Sequence, residues 1–228
     1  MKIVSLGYNC FVARFLSQIY CDGNPVRLSS PMDWNCQCTP TAVLKFINGD
    51  IFRNVVKGRF TTIYSPIHEC VTTKFTDLDN ELYHENLDDN NTLCKFITRL
   101  VHLSDYLKDS EVKFMYLIHP DNMNSKVINS LCKLIGRNRL FIVANSDAEL
   151  PNNYDYRYLW DNDKYWYDNK LADEVNKHVF EGLKSWIGNE YNLEYKFNPG
   201  MSIGHKLNFD GSFSYIERKY DNLKRKYL

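Results

Sequence analysis

The sequence predicts a three-layer α/β sandwich, a mostly parallel sheet with helices on both faces. Three observations predict it. Short, largely apolar runs stand at residues 3–6 (with Ser5), 112–118 (with Lys113) and 140–144, too brief for helices and too apolar for strands with one wet face. Between them, apolar residues recur every three to four positions, as in amphipathic helices. No internal repeat, low-complexity segment or linker interrupts the 228 residues, so the chain reads as one domain over 1–228.

The first strand is Ile3, Val4 and Leu6, broken by Gly7, which permits a sharp turn. Val12, Phe15, Leu16 and Ile19 follow at helical spacing, predicting a helix from Phe11 to Tyr20. Cys21–Pro25 is a turn cluster, Val26–Leu28 a short extended piece, and Ser29–Trp34 a loop ending on an aromatic. Thr39 and Pro40 open a helix as cap and first residue. Ala42, Val43, Phe46 and Ile47 form its apolar face, and Asn48-Gly49 closes it. Ile51 and Phe52 begin a segment that reads as irregular. Phe60–Tyr64 is a strand by its aromatic and β-branched residues, whereas the polar, acidic stretch Thr72–Asp89 reads as loop with some helical turns. Leu93 to Leu107 carries the longest helical pattern and Val112–Ile118 the strongest strand. Val127–Ile135 is a helix stopped by Gly136, and Leu140–Ala144 is the next strand. Tyr156–Leu159 is expected to be a further strand and Leu171–Trp186 a helix followed by Gly188. The last region, about 190–228, is expected to form an edge hairpin at Leu193–Phe197 plus a basic helix over Ser214–Leu228.

Composition sets bounds on function. A 44% hydrophobic, 25% charged chain is an ordinary globular protein, and a formal net charge of zero gives no global attraction to nucleic acid or anionic membrane. No apolar run approaches a membrane span, and Asn9 and Arg14 interrupt the N-terminal apolar residues before they could form a signal peptide. The seven cysteines, odd in number and irregular in spacing, are expected to be reduced thiols of a cytoplasmic protein. Richness in Asn, Lys, Tyr and Ile points to an AT-rich genome such as a low-GC bacterium or a large DNA virus, in which case the compartment is the host cytoplasm.

One cysteine has a place with chemical consequences. Cys10 falls where the first strand hands over to the first helix, and unpaired N–H groups with the positive end of the helix dipole favour a thiolate there. The structural alternative is a buried, inert cysteine packing that helix. A nucleophilic thiol needs a base and a group that orients the base. Of the six histidines, His102 and His178 fall inside helical patterns, His84 in an acidic stretch, and His205 in an undefined region. His68, in a loop beside Glu69, and His119, at the end of the clearest strand, are the realistic bases, and position alone weights them equally. In such sheets sites form beyond the carboxyl ends of the strands, the edge expected to carry Cys10, the His119 loop and Asn145-Ser146-Asp147.

Ser5-Leu6-Gly7 with Cys10, then Pro31-Met32-Asp33-Trp34, resembles a domain family of unknown function classed with papain-like cysteine peptidases. Its pattern is S-L-G-x-x-C, then P-F-D-W, then a His-Asp pair after a strand. The likeness is strongest over Met1–Asn54 and extends in element order to about Asn145. It implies Cys10 as nucleophile, His68 as base and Glu69 in place of the Asp, with Met32 in place of Phe. Asp33 is the other candidate to orient the base, against a structural role as a loop Asp bonded to backbone. Trp34 is expected as a wall of the pocket or of the core, Tyr8 as a further substrate-binding candidate, and Asn9 or the Cys10 N–H as candidate oxyanion donors. The implied activity is acyl transfer on a peptide or other acyl-bearing substrate, with no cofactor. The alternating α/β pattern differs from a papain fold. It is similar to esterases of the Gly-Asp-Ser-Leu type, except that Cys replaces Ser and their late Asp-x-x-His pair is missing.

Other classes compete. Cys36, Cys38, His68 and Cys70 offer four zinc-compatible ligands, although the one-residue spacing is tighter than usual. The aromatic run from Tyr154 to Tyr167 would suit a carbohydrate, a base or a protein surface if exposed, making the chain a non-catalytic binding or interaction protein, and would pack the last strand and helix if not. No G-x-G-x-x-G or P-loop is present, so nothing in the motifs supports a dinucleotide cofactor.

Overall fold

The structure is a computed structural model. It describes residues 1–7, 11–33, 35–36, 39–66, 70–76, 81–83, 85–118, 124–144, 153–155, 169–198 and 213–227. In chain order the elements are β1 (Lys2–Ser5), α1 (Phe11–Leu16), β2 (Ile19–Cys21), β3 (Asn24–Pro25), β4 (Arg27–Leu28), β5 (Asn35–Cys36), α2 (Pro40–Ile47) and α3 (Asp50–Val56). Then come β6 (Phe60–Ser65), β7 (Cys70–Phe75), β8 (Glu81–Tyr83), α4 (Asn90–Tyr106), β9 (Val112–Ile118), α5 (Ser125–Ile135) and β10 (Leu140–Ala144). The chain closes with β11 (Asn153–Asp155), α6 (Asn169–Ile187), β12 (Leu193–Tyr195) and α7 (Phe213–Tyr227).

The central sheet has five strands in the order β11-β10-β9-β1-β4, and every pairing in it is parallel. Successive residues of these strands feed opposite faces, as the two-residue period requires. Val4, Phe114, Tyr116, Ile118, Ile142 and Ala144 join one core with α2, α3, α4, α5 and α7. Ile3, Met115, Leu117, Phe141 and Val143 join the other with α1 and α6. The expected three-layer sandwich with helices on both faces is therefore present, and the reason is the one anticipated: the central strands, covered on both sides, are largely apolar. Two smaller antiparallel sheets flank it, β12-β2-β3 and β5-β8-β7-β6. Among the described residues no helix is long and apolar enough to cross a membrane.

Local chemistry explains most boundaries. Thr39 Oγ1 accepts the Ala42 N–H (3.2 Å) with Pro40 in the first turn of α2. Asp89 and Asn124 cap α4 and α5 in the same way. Four expectations need correction. The first helix stops at Leu16, because Ser17 Oγ and Gln18 Nε2 both donate back to Arg14 O and Ile19–Cys21 pairs with β12 instead. Ile51 and Phe52 lie in the helix α3, with both side chains buried. The stretch read as loop from Thr72 contains β7 and β8, whose buried threonines the polar composition concealed. At the C-terminal end the expected edge strand is present as β12 and the basic helix as α7, but β12 pairs across the molecule with β2 rather than in a hairpin. The expected strand Tyr156–Leu159 lies outside the described residues, and the strand found nearby is β11.

α4 carries a pH-sensitive residue. Burial pushes the half-buried His102 imidazole below its ordinary pKa, with Asp105 opposing and the Tyr106 ring 6.0 Å away. The folded state thus binds its proton less readily than the unfolded state. The stability in question is present above the ordinary value near 6.5 and is lost as pH falls from there through the lowered folded value. Urea unfolding compared at about pH 7.5 and about pH 5 should show His102→Gln losing less stability than wild type over that interval. Parallel losses in the two proteins would exclude His102 as a contributor.

Candidate functional site

Counted in chain order, the five strands of the parallel sheet are arranged 2-1-3-4-5, so the strand order reverses between β1 and β9. In open α/β sheets that reversal opens a crevice beyond the strand carboxyl ends, the usual location of a ligand site. β1 and β9 lie side by side there: Ser5 is in register with Met115 and Leu6 N donates to Met115 O (2.9 Å). The buried Ser5 Oγ accepts the Gly7 N–H (3.2 Å), and Gly7 takes φ 92, a conformation that disfavours any side chain. The Ser-Leu-Gly run thus has a physical content: it ends the strand, packs Leu6 in the core and turns the chain sharply. Residues 8–10, and with them Tyr8, Asn9 and Cys10, lie outside the described residues, as does the 119–123 segment with His119.

β4 borders β1 on the other side, and the turn after it is described. Arg27 on β4 donates from Nη2 to Asp33 Oδ2 (2.6 Å), and the same oxygen accepts the Ser30 N–H (3.0 Å). Asp33 N returns a bond to Ser30 O (3.2 Å), while Ser30 Oγ takes the Met32 N–H (3.1 Å). Asp33 is 1% exposed. Its structural role, bonding to backbone, is thus realised and an ion pair is added. Its second oxygen differs: among the described residues Asp33 Oδ1 is buried without a hydrogen-bond partner. A buried carboxylate oxygen left unpaired is costly, and Arg27 Nε and Arg99 Nε are likewise buried without a partner among the described residues.

A second buried ion pair lies close enough to interact with the first. Glu85 pairs with Arg99 of α4. Burial raises the Glu85 carboxyl, Arg99 and Lys95 oppose the rise, and the negative charge of Asp33 adds to it. Thr73 on β7 fixes the segment carrying Glu85, its Oγ1 donating to Glu85 O (2.6 Å) and accepting the Leu87 N–H (3.3 Å). Arg27, Glu85 and Arg99 escaped the sequence reading. Arg99 had a legible signal, because it sits between Phe96 and Leu103 on the apolar stripe of its helix, where a charge requires a buried partner.

The antiparallel sheet relates two further candidates. β5 and β7 both run opposite to β8, so they run parallel to each other. The chain enters β5 from the Asp33 turn at the same end at which the β6–β7 hairpin reverses, closed by the Ser65–Cys70 pair. His68 and Glu69 belong to that reversal and lie outside the described residues, as do Trp34 and Cys38. The same register bears on zinc. Cys36 is level with Glu81 and Lys74, four residues along β7 from Cys70 and two strands away. That separation is roughly 16 Å. Cys36 and Cys70 are too far apart to share a tetrahedral ion whose bonds are about 2.3 Å. Among the described residues no group of three or more ligating side chains converges. Comparison with protein-family models, curated proteins and solved structures gives no match.

Proposed function

We propose that the protein is a cysteine-nucleophile acyl hydrolase, with Cys10 attacking, a histidine as base and Asp33 orienting that base. One observation carries the reading: the segment of Cys10 follows β1 at the point where the strand order reverses. The unpartnered Asp33 Oδ1 supports it, because a buried acceptor is what holds an imidazole N–H in a fixed tautomer. His68 is the proposed base, since its hairpin and the Asp33 turn share one end of the antiparallel sheet. His119 is the alternative, the next residue in the chain after β9, the strand beside β1.

The chemistry balances with these groups alone. The histidine takes the Cys10 proton, and the thiolate adds to the acyl carbon. The tetrahedral species collapses to a thioester as the histidine returns the proton to the leaving amine, alcohol or thiol. Water, deprotonated by the same histidine, then releases a carboxylic acid and the free thiol. The substrate class is a peptide, amide, ester or thioester.

Thiol-reactivity profiling tests this, and the fold supplies internal standards. Cys94 is exposed, while Cys21, Cys70 and Cys132 are buried, and burial raises the thiols of Cys21 and Cys132. Under limiting alkylator at neutral pH, Cys10 should label roughly tenfold faster than Cys94, reflecting a depressed thiol pKa. His68→Ala should remove the advantage, whereas loss in His119→Ala instead would move the base to the segment after β9. Labelling of Cys10 no faster than Cys94 would sink the reading. A non-catalytic interaction protein would then be favoured, and its observation is β6, an edge strand with Ile63 and Tyr64 exposed.

A further inference from the structure

A cavity of about 290 Å³, separate from the Asp33 cluster, lies against α3. Lys45, Asp50, Arg53, Asn54, Lys57 and Arg59 line it, four cations against one carboxylate in a chain of zero net charge. The pattern is built by the helix: 50, 53, 54 and 57 fall on one face of α3 at helical spacing, and Lys45 comes from the last turn of α2. Asp50 is already paired with Arg53. Among the described residues Lys57 and Arg59 form no ion pair.

The backbone holds these cations in place. Gly58 (φ 63) closes α3, with Gly58 N donating to Val55 O (3.2 Å) and Arg59 N to Asn54 O (2.8 Å), the paired bonds of a Schellman cap. Arg59 O is held in turn by Thr76, through N (3.2 Å) and Oγ1 (3.1 Å). Cations at helix C-termini also complement the helix dipole, which accounts for Lys45 and Lys57 one at a time. It does not account for four cations around one concavity.

We propose that this cavity binds a small phosphate-bearing anion, with Arg59 and Lys57 as its principal contacts. Guanidinium and ammonium donors on one wall suit a compact polyanion, and the volume is at the small end of ligand sites. The proposal is independent of the acyl-hydrolase reading. Calorimetric titration of inorganic tripolyphosphate into the full chain, at about 50 mM salt, tests it. One site per chain is expected, with Arg59→Gln and Lys57→Gln each weakening binding roughly tenfold. Lys133→Gln, exposed on α5, should leave it unchanged. A parallel titration with ATP separates sources: equal affinity means the phosphates alone are read, and tighter binding means a nucleoside contributes. Absence of one-site binding would overturn the proposal. So would equal weakening by Lys133→Gln, or variants that lower stability while leaving affinity unmoved, the mark of a dipole role only.

Discussion

Replacing Asp33 by alanine should destabilise the fold by about 3–5 kcal/mol, the cost of leaving a buried charge without its partner. The Arg27 side chain is only 9% exposed, and Asp33 Oδ2 is its ion-pair partner. Removal of the carboxylate also frees the Ser30 N–H inside the turn that follows β4. Buried ion pairs are expensive to desolvate, so deleting both ends is milder than deleting one. Arg27→Met combined with Asp33→Leu should therefore recover most of the loss in urea unfolding. A change under about 1 kcal/mol for Asp33→Ala would show that water reaches the pair and that the turn does not depend on it. The double variant also separates two roles of Asp33. If the carboxylate orients the base, Cys10 stays slow to alkylate even with the fold restored. If Asp33 is only a strut, Cys10 reactivity returns with stability.

Gly49→Ala should cost about 2–4 kcal/mol, through two effects that add. Gly49 joins α2 to α3 at φ 80, in the left-handed region that carries a penalty of about 1–2 kcal/mol for residues with a Cβ. An added Cβ would also stand 2.6 Å from two ring carbons of Tyr227 and 2.7 Å from a third. Those distances lie inside van der Waals contact. The Tyr227 ring cannot move freely, since it packs beside Phe52 (6.3 Å between ring centres) and under the Arg53 guanidinium (5.8 Å). Unfolding of Gly49→Ala, alone and with Tyr227→Ala, resolves the parts. The double variant should regain the steric share and retain the backbone share. A loss below about 0.5 kcal/mol in the single variant would mean that α7 does not pack on the α2–α3 corner as described. Because α2 and α3 carry the basic cavity, the single variant should also weaken tripolyphosphate binding.

The parallel sheet was legible because it is buried on both faces, and that demand leaves a mark in sequence. Val112–Ile118, with Lys113 its one charged residue, and Leu140–Ala144 are apolar without a polar alternation, which only a doubly covered strand tolerates. Caps were legible for the same kind of reason: Thr39 and Pro40 act within four residues of chain. The second sheet was not. The strand β7 buries Thr72 and Thr73, whose hydroxyls are satisfied by Ile63 O and Glu85 O, and no local rule announces partners nine and twelve residues away. Ile19 continued a helical period, yet its strand partner is Tyr195 at the other end of the chain.

The sequence by itself determined the class of the fold, the apolar strands at its centre, and a cysteine placed just after the first of them. It also marked Asp33, through the motif in which that residue stands. Tertiary structure alone decided what Asp33 does: Arg27 and Ser30 occupy one of its oxygens, while the other is buried without a described partner. The strand order that sets β1 between β9 and β4 was likewise decided only in three dimensions. So was the gathering of Lys45, Lys57 and Arg59 around one cavity. The physical reason is common to all three. Burial and helical period act over a few residues and are written in the local pattern. Ion pairs, strand neighbours and converging charges depend on which distant segments the packed core brings together.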